Sequence, residues 1–210
     1  MPSASLRLAV VGAGAAGLVA ARELRREGHA PVVFERAAAV GGTWLYTPPA
    51  TSSDPLGAAA THSSLYASLR TNLPRETMGF LDFPFAAGAA AAGSPRDPRR
   101  FPGHEEVLRY LEAFARRFDL LRLVRFETEV LSVRREDGGG GRWAVTSRKL
   151  GEKGSGQEEF YDAVVVCNGH YTEPRIAVIP GNFGTTQSIC DRVNWSYLST
   201  DRFWNKVPDL

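Results

Sequence analysis

Residues 6–35 read LRLAVVGAGAAGLVAARELRREGHAPVVFE, and the order of their parts decides the fold. A short apolar run (Leu6, Leu8, Ala9, Val10, Val11) leads straight into Gly12-Ala13-Gly14-Ala15-Ala16-Gly17. A helical pattern follows from about Ala15 to Glu27 and closes near Gly28; a second apolar run, Val32-Val33-Phe34, then ends in Glu35. Strand, glycine turn, helix, strand and terminal acid together make a dinucleotide-binding βαβ unit. Gly12 allows the tight turn off the strand. Gly14, lacking a side chain, lets backbone approach a pyrophosphate, and Gly17 lets the helix pack closely on the strand. The first helical turn, with Ala15 and Ala16, offers free N–H groups and the positive end of the helix dipole to a diphosphate. Glu35 lies 23 residues beyond Gly12. A carboxylate there accepts hydrogen bonds from both ribose hydroxyls and repels a 2′-phosphate, which favours FAD or NAD over NADP. A lone glycine motif is weak evidence, and a glycine-rich turn in another kind of α/β protein is the alternative; the flanking strand, helix and acid are what give this one weight.

Composition narrows the classes further. The chain has 210 residues, 43% of them hydrophobic, which suits a globular protein with a buried core. The net charge of +2 is too mild and too dispersed to argue for nucleic acid. No apolar run reaches the length of a membrane span, and the N-terminal apolar stretch reads as a strand rather than a secretory signal. Cys167 and Cys190 make no disulfide framework and have no metal-ligand spacing, so no metal site is expected, and the cytoplasm is the expected compartment.

Beyond the opening unit, residues 47–63 form a polar, Pro-rich loop, and residues 86–98 a second loop containing the tract AAGAAAAGS. An amphipathic helix is predicted from about His104 to Phe118, with Val107, Leu108, Leu111, Phe114, Ala115 and Phe118 at helical spacing. Three strands are expected next, at LVRF, ETEVLSVRR and RWAVTSR, with Gly138–Gly141 as the turn between the last two. Residues 151–159 read as a Gly-rich charged loop, and Tyr161 to Cys167 as a fully buried parallel strand. The fold class is therefore α/β, a Rossmann-like FAD-binding domain of the three-layer ββα kind with an antiparallel β excursion.

Two further stretches bear on the cofactor. Val40-Gly41-Gly42-Thr43-Trp44 follows the ribose acid, and its glycine pair lets the chain run close beside an extended cofactor, which a plain NAD dehydrogenase does not need. Trp44 either packs in the core or lies beside the cofactor and shapes the ring pocket. In Leu65 to Phe80, Thr71-Asn72 stands in a polar turn ahead of aromatic residues. Asn72 carries an amide donor and an acceptor on a short stem, suited to holding a water or a peroxide beside a ring, or else to satisfying its own turn. His170, in the loop after the last strand, is read as an ordinary loop histidine without a catalytic role.

These stretches, with FPGHEEVLRYLEAFARRF and YDAVVVCNGHYTEPRIAVIPG, resemble the N-terminal half of the flavin-containing monooxygenases, and most of all the plant branch that S-oxygenates glucosinolates. The resemblance runs from about Leu6 to Gly181. It implies that FAD binds at the first glycine motif, that NADPH reduces the flavin, and that O2 then forms a hydroperoxide that passes one oxygen to a soft thioether or amine. By the same resemblance Gly12, Gly14 and Gly17 hold the pyrophosphate and Glu35 the adenosine ribose. Gly42, Thr43 and Trp44 line the FAD, Thr71 and Asn72 stand beside the flavin and nicotinamide, and Val130 makes a backbone contact to adenine. Asn72 is the catalytic candidate, positioning the peroxyflavin by hydrogen bonding.

The resemblance stops after Ile179-Pro180-Gly181. The family's second glycine loop, which serves NADPH, has no counterpart in the sequence, so the NADPH site is expected to be largely missing. Residues 1–181 are read as a partial FAD-binding domain and residues 182–210 as a divergent tail. An incomplete sheet of this kind would show apolar surface open to self-association. Two functions follow: a flavin-dependent monooxygenase in truncated form, or a non-catalytic FAD-binding or regulatory product. A flavin-free NAD-binding module is disfavoured by the VGGTW and Thr71-Asn72 elements.

Overall fold

The structure, a computed structural model, describes residues 4–46, 65–85, 97–136 and 141–169. The predicted loops at 47–63 and most of 86–98, the tip of the Gly138–Gly141 turn, His170 and the tail 182–210 lie outside the described residues.

The opening unit folds as read. Strand β1 (Arg7–Val11) leads through the glycine turn into helix α1 (Ala15–Arg26), and β2 (Ala30–Phe34) returns parallel to β1, pairing Val11 with Phe34. Helix α1 closes through a left-handed Gly28 at φ +86°, and Arg25 and Arg26 complement its C-terminal dipole. A short helix α2 (Arg75–Met78) precedes the long helix α3 (His104–Arg117). Strand β3 (Val124–Arg125) then joins the parallel sheet, followed by the antiparallel strands β4 (Thr128–Arg135), β5 (Trp143–Lys149) and β6 (Gln157–Tyr161). The last strand, β7 (Ala163–Val166), pairs parallel with β1. The two sheets run in the orders β3-β2-β1-β7 and β4-β5-β6.

Strand alternation builds the three layers. Val10, Val33 and Val165 face the helices and pack with Leu18, Ala21, Val107, Leu111 and Phe114. Their neighbours Ala9, Val32, Phe34 and Val164 face the antiparallel sheet and meet Val130, Val133, Val145 and Tyr161. A parallel sheet covered on both faces needs strands that are apolar at successive positions, which is why β1, β2 and β7 read as unbroken apolar runs. On the helical side Phe80, Phe83 and Phe118 meet Phe114 edge to face, and Phe80 and Phe83 lie tilted against Tyr110. The Tyr110 hydroxyl is satisfied there: it donates to the Phe83 carbonyl at 2.6 Å and accepts from the Phe80 amide at 2.7 Å.

Three expectations need correction. Only Val124 and Arg125 of LVRF are strand, because Leu121–Leu123 forms a turn of 3-10 helix. The supposed loop at 151–159 ends early, since Gln157, Glu158 and Glu159 open β6 and pair with β5. The last parallel strand is half-buried, with Val166 45% exposed, because among the described strands β7 has β1 alone as partner.

The polar start of β6 has a structural role. Glu159 accepts from Arg7 Nη2 of β1 at 2.6 Å, from Arg125 Nη1 of β3 at 2.6 Å and from the Tyr161 hydroxyl at 2.7 Å. Both sheets thus meet at one carboxylate. These donors, the Arg125 guanidinium foremost, hold its pKa at about 2 against an ordinary 4.5. A carboxylate held down in the folded state contributes stability that is full above its unfolded value and is lost as pH falls through the folded one. The variant Glu159→Gln is therefore expected to melt below the parent chain at pH 7. The gap should close between pH 4.5 and about 2, as read from Tm against pH.

Candidate functional site

The site is built around one residue, Ala13. The Ala13 amide, in the middle of the glycine turn, donates to Glu35 Oε2 at 2.7 Å, and the Ala13 carbonyl accepts from the Gly41 amide at 3.1 Å. Glu35 Oε1 accepts from the Ala37 amide at 2.7 Å, and Glu35 is nearly buried. The turn, the acid at the end of β2 and the glycine pair are thus fastened together at one point.

Each glycine of the turn answers a distinct constraint. Gly12 sits at φ +102° and its missing side chain leaves room for the Cys167 carbonyl at the end of β7. A Cβ on Gly17 would overlap the Gly12 carbonyl, so the close packing is of helix on turn as well as helix on strand. Gly14 faces Gly42, which sits at φ +56°, and a Cβ on Gly42 would come within 2.9 Å of the Gly14 Cα. Two bare backbones therefore lie against each other at the mouth of helix α1. The first turn of α1 contains no acidic side chain and no side-chain cap, so its opening amides, with Ala15 and Ala16 beside them, are left to an external acceptor. Half-exposed backbone, the positive end of a helix dipole and a nearby carboxylate fit a dinucleotide diphosphate with its ribose.

The remaining predicted residues surround this point. Gly42–Trp44 forms a 3-10 turn in which Gly42 and Thr43 are exposed. Trp44 is partly buried and packs on the helical core. Val130 lies on β4 beside the bulge before Ser132, two residues after Thr128, whose amide donates to the Glu35 carbonyl at 2.8 Å. Thr71 is buried, its hydroxyl donating to the Leu73 carbonyl at 2.8 Å, while Asn72 is exposed and makes no hydrogen bond to another described residue. No hydrogen bond joins Thr71 or Asn72 to the glycine turn. Their connection runs through Tyr46, whose ring lies 5.4 Å from that of His104, and through His104, whose amide donates to the Leu69 carbonyl at 3.1 Å.

Sequence reasoning missed the residues that seat this second region. Arg75, Asp97 and His104 are all buried or engaged by main-chain groups. The Asp97 carboxylate is held well below the usual range, chiefly by Arg99 and further by the Gly103 and Arg99 amides. Their only sequence signal is the presence of charge beside Pro74 and Pro98. Among the described residues no cluster of His, Cys, Asp and Glu could hold a metal ion, and no helix is long and apolar enough to cross a membrane.

A profile of the flavin-binding monooxygenase-like family matches residues 5–184. The chain belongs to that family. It is 58% identical over 181 residues to the flavin-containing monooxygenase FMO GS-OX5 of Arabidopsis thaliana, covering 84% of this chain and 38% of the relative. It is 56% identical over 184 residues to FMO GS-OX-like 7 of the same plant, covering 86% and 38%. Among solved structures it is similar to S-allyl-L-cysteine S-oxygenase from Allium sativum, with a TM-score of 0.74 and 54% identity over 86% of this chain and 40% of that one. The chain therefore spans about two fifths of the length of the relatives it matches. The Rossmann-like fold of these flavin monooxygenases is the three-layer arrangement described above.

The Gly14–Gly42 contact is open to test. Gly42→Ala is expected to destabilise the chain by about 1–3 kcal/mol, combining left-handed strain with displacement of the Gly14 backbone. Gly141→Ala, at φ +68° with open space around it, carries strain alone and should cost less, as compared by urea unfolding.

Proposed function

We propose that this chain forms the FAD-binding part of an NADPH- and O2-dependent monooxygenase that oxygenates a soft sulfur or nitrogen in a small molecule. The observation that carries the reading is the tie of glycine turn, Glu35 and Gly41-Gly42 through the main chain of Ala13, in a chain of this family. Similarity to an S-oxygenase of S-allyl-L-cysteine supports a thioether as the preferred substrate class.

When bound, FAD supplies the capacity to accept a hydride from NADPH and to activate O2 for transfer of one oxygen atom. The chain's own residues bind, orient and shield. Gly12, Gly14 and Gly17, with the amides of Ala15 and Ala16, receive the pyrophosphate. Glu35 accepts from the ribose; each carboxylate oxygen has two lone pairs, so its bonds to Ala13 and Ala37 leave acceptor capacity for hydroxyls. Gly42, Thr43 and Trp44 flank the nucleotide, and the Val130 backbone meets the adenine. Thr71 and Asn72 would stand at the ring end, where the free amide of Asn72 could donate a hydrogen bond to the flavin.

NADPH is assigned to a second site of the family architecture, since the described residues contain one glycine-turn site. Residues 1–181 are assigned to the FAD-binding unit and 182–210 to a divergent tail, supported by a family match that ends at residue 184. The cytoplasm is the proposed compartment, in keeping with two cysteines that form no disulfide framework. Self-association is proposed through apolar side chains left outside, among them the fully exposed Leu81 and the half-exposed Val166 on β7. The single glycine-turn site among the described residues leaves a second reading, in which these residues bind FAD without turnover.

Purified chain reconstituted with FAD and freed of excess should show the visible bands of bound flavin; a folded, colourless preparation would overturn the FAD assignment. Adding NADPH and a thioether then separates the two readings: bleaching with thioether-dependent oxygen uptake supports the monooxygenase, and a flavin that stays oxidised supports binding alone. In the same assay Glu35→Ala removes charge-assisted bonds of about 1.5–3 kcal/mol, so FAD affinity should fall by about tenfold or more. Unchanged affinity would remove Glu35 from the ribose.

A further inference from the structure

We propose that Arg75 is a positioning residue that fixes Asn72 at the flavin end of the site. The inference rests on the placement of Asn72 made above and adds the means by which an exposed side chain in a loop keeps one orientation.

Asn72 lies between two anchors. On its N-terminal side Thr71 is buried, and its amide donates to the Pro102 carbonyl at 3.0 Å. On its C-terminal side Arg75 is 2% exposed and reaches the same neighbouring stretch with four hydrogen bonds. Its amide donates to the Arg100 carbonyl at 2.9 Å and its Nε to the Arg99 carbonyl at 3.1 Å. Its Nη2 donates to the carbonyls of Asp97 at 2.6 Å and Arg99 at 2.9 Å. The guanidinium lies 5.0 Å from the centre of the Phe85 ring. Residues 72–74 are thereby a short span pinned at both ends, and Asn72 has no bond of its own to hold it.

The chemistry of Arg75 argues for geometry rather than charge. It has no carboxylate partner among the described residues; its side chain grips main-chain carbonyls. Burying a guanidinium is costly unless every donor is placed well, and an apolar residue of similar size would fill the space at less expense. A planar fork, however, fixes the relative position of two backbone stretches as no aliphatic side chain does. The stretch it grips is itself rigid: Asp97 accepts from Arg70, Arg99 and the Gly103 amide, and Gly103 opens helix α3. Arg75 thus refers the position of Asn72 to α3 and through it to the core.

The test uses the full chain loaded with FAD. Asn72→Ala is expected to shift the visible flavin band while FAD stoichiometry holds. Arg75→Lys and Arg75→Met should reproduce that shift at unchanged stoichiometry, and neither should shift the band further in an Asn72→Ala background. Hydrogen exchange, read without reference to flavin, should show the Thr71 amide exchanging faster in both Arg75 variants with α1 unchanged. The Lys variant keeps the charge and carries the test if the Met variant does not fold. A band that moves in Asn72→Ala and stays put in both Arg75 variants would overturn the role of Arg75, as would full additivity in the double variants. A band unmoved by Asn72→Ala would overturn the ring-side placement of Asn72, and this inference with it.

Discussion

Ala13, through the N–H and C=O of its main chain, is the joint on which the candidate site depends. Its N–H is taken by Glu35 and its C=O by Gly41, so the turn after β1, the end of β2 and the loop beyond β2 are held at one point. Each partner needs the others in place. Gly42 approaches Gly14 because Gly41 is tied to Ala13, and Glu35 faces the turn because its second oxygen is steadied by Ala37. Buried hydrogen bonds to a carboxylate are stronger than neutral ones, which makes the nearly buried Glu35 an effective staple.

The surrounding layers supply rigidity. Alternate residues of β1, β2 and β7 serve two cores, one with the helices and one with the antiparallel sheet. The turn therefore emerges from a sheet clamped on both faces. The charged groups around Glu159 join β1, β3 and β6, so the antiparallel excursion is bound to the parallel sheet by polar as well as apolar contact. Arg7 and Arg125 also lie over the rings of Tyr161 and Phe34, at 4.4 Å and 5.3 Å, extending the cover over aromatic surface.

Much of this was legible because steric rules act locally. The glycine turn, both long helices, the hairpin of β4 and β5 and the parallel pairing of β7 follow from residue spacing alone. The opening of β6 was not legible, since Gln157, Glu158 and Glu159 look like loop and become strand only through pairing with β5. The half-burial of β7 escaped for a related reason: its apolar composition reports the layers above and below, not the number of strands beside it. At the site, Gly12, Gly14, Gly17, Glu35 and Gly42 were readable from motif and spacing. The support of Thr71 and Asn72 was hidden, because Arg75 and His104 act on main-chain carbonyls more than twenty residues away, and such bonds leave no periodic trace.

The pairing of Gly12 and Gly17 has an evolutionary corollary. The space denied to a side chain at Gly17 is filled by the main-chain oxygen of Gly12, an atom that every amino acid carries. No change of residue at position 12 can vacate it. A lineage that lost Gly17 would thus have no single compensating substitution at the site of conflict, and its route back would be reversion.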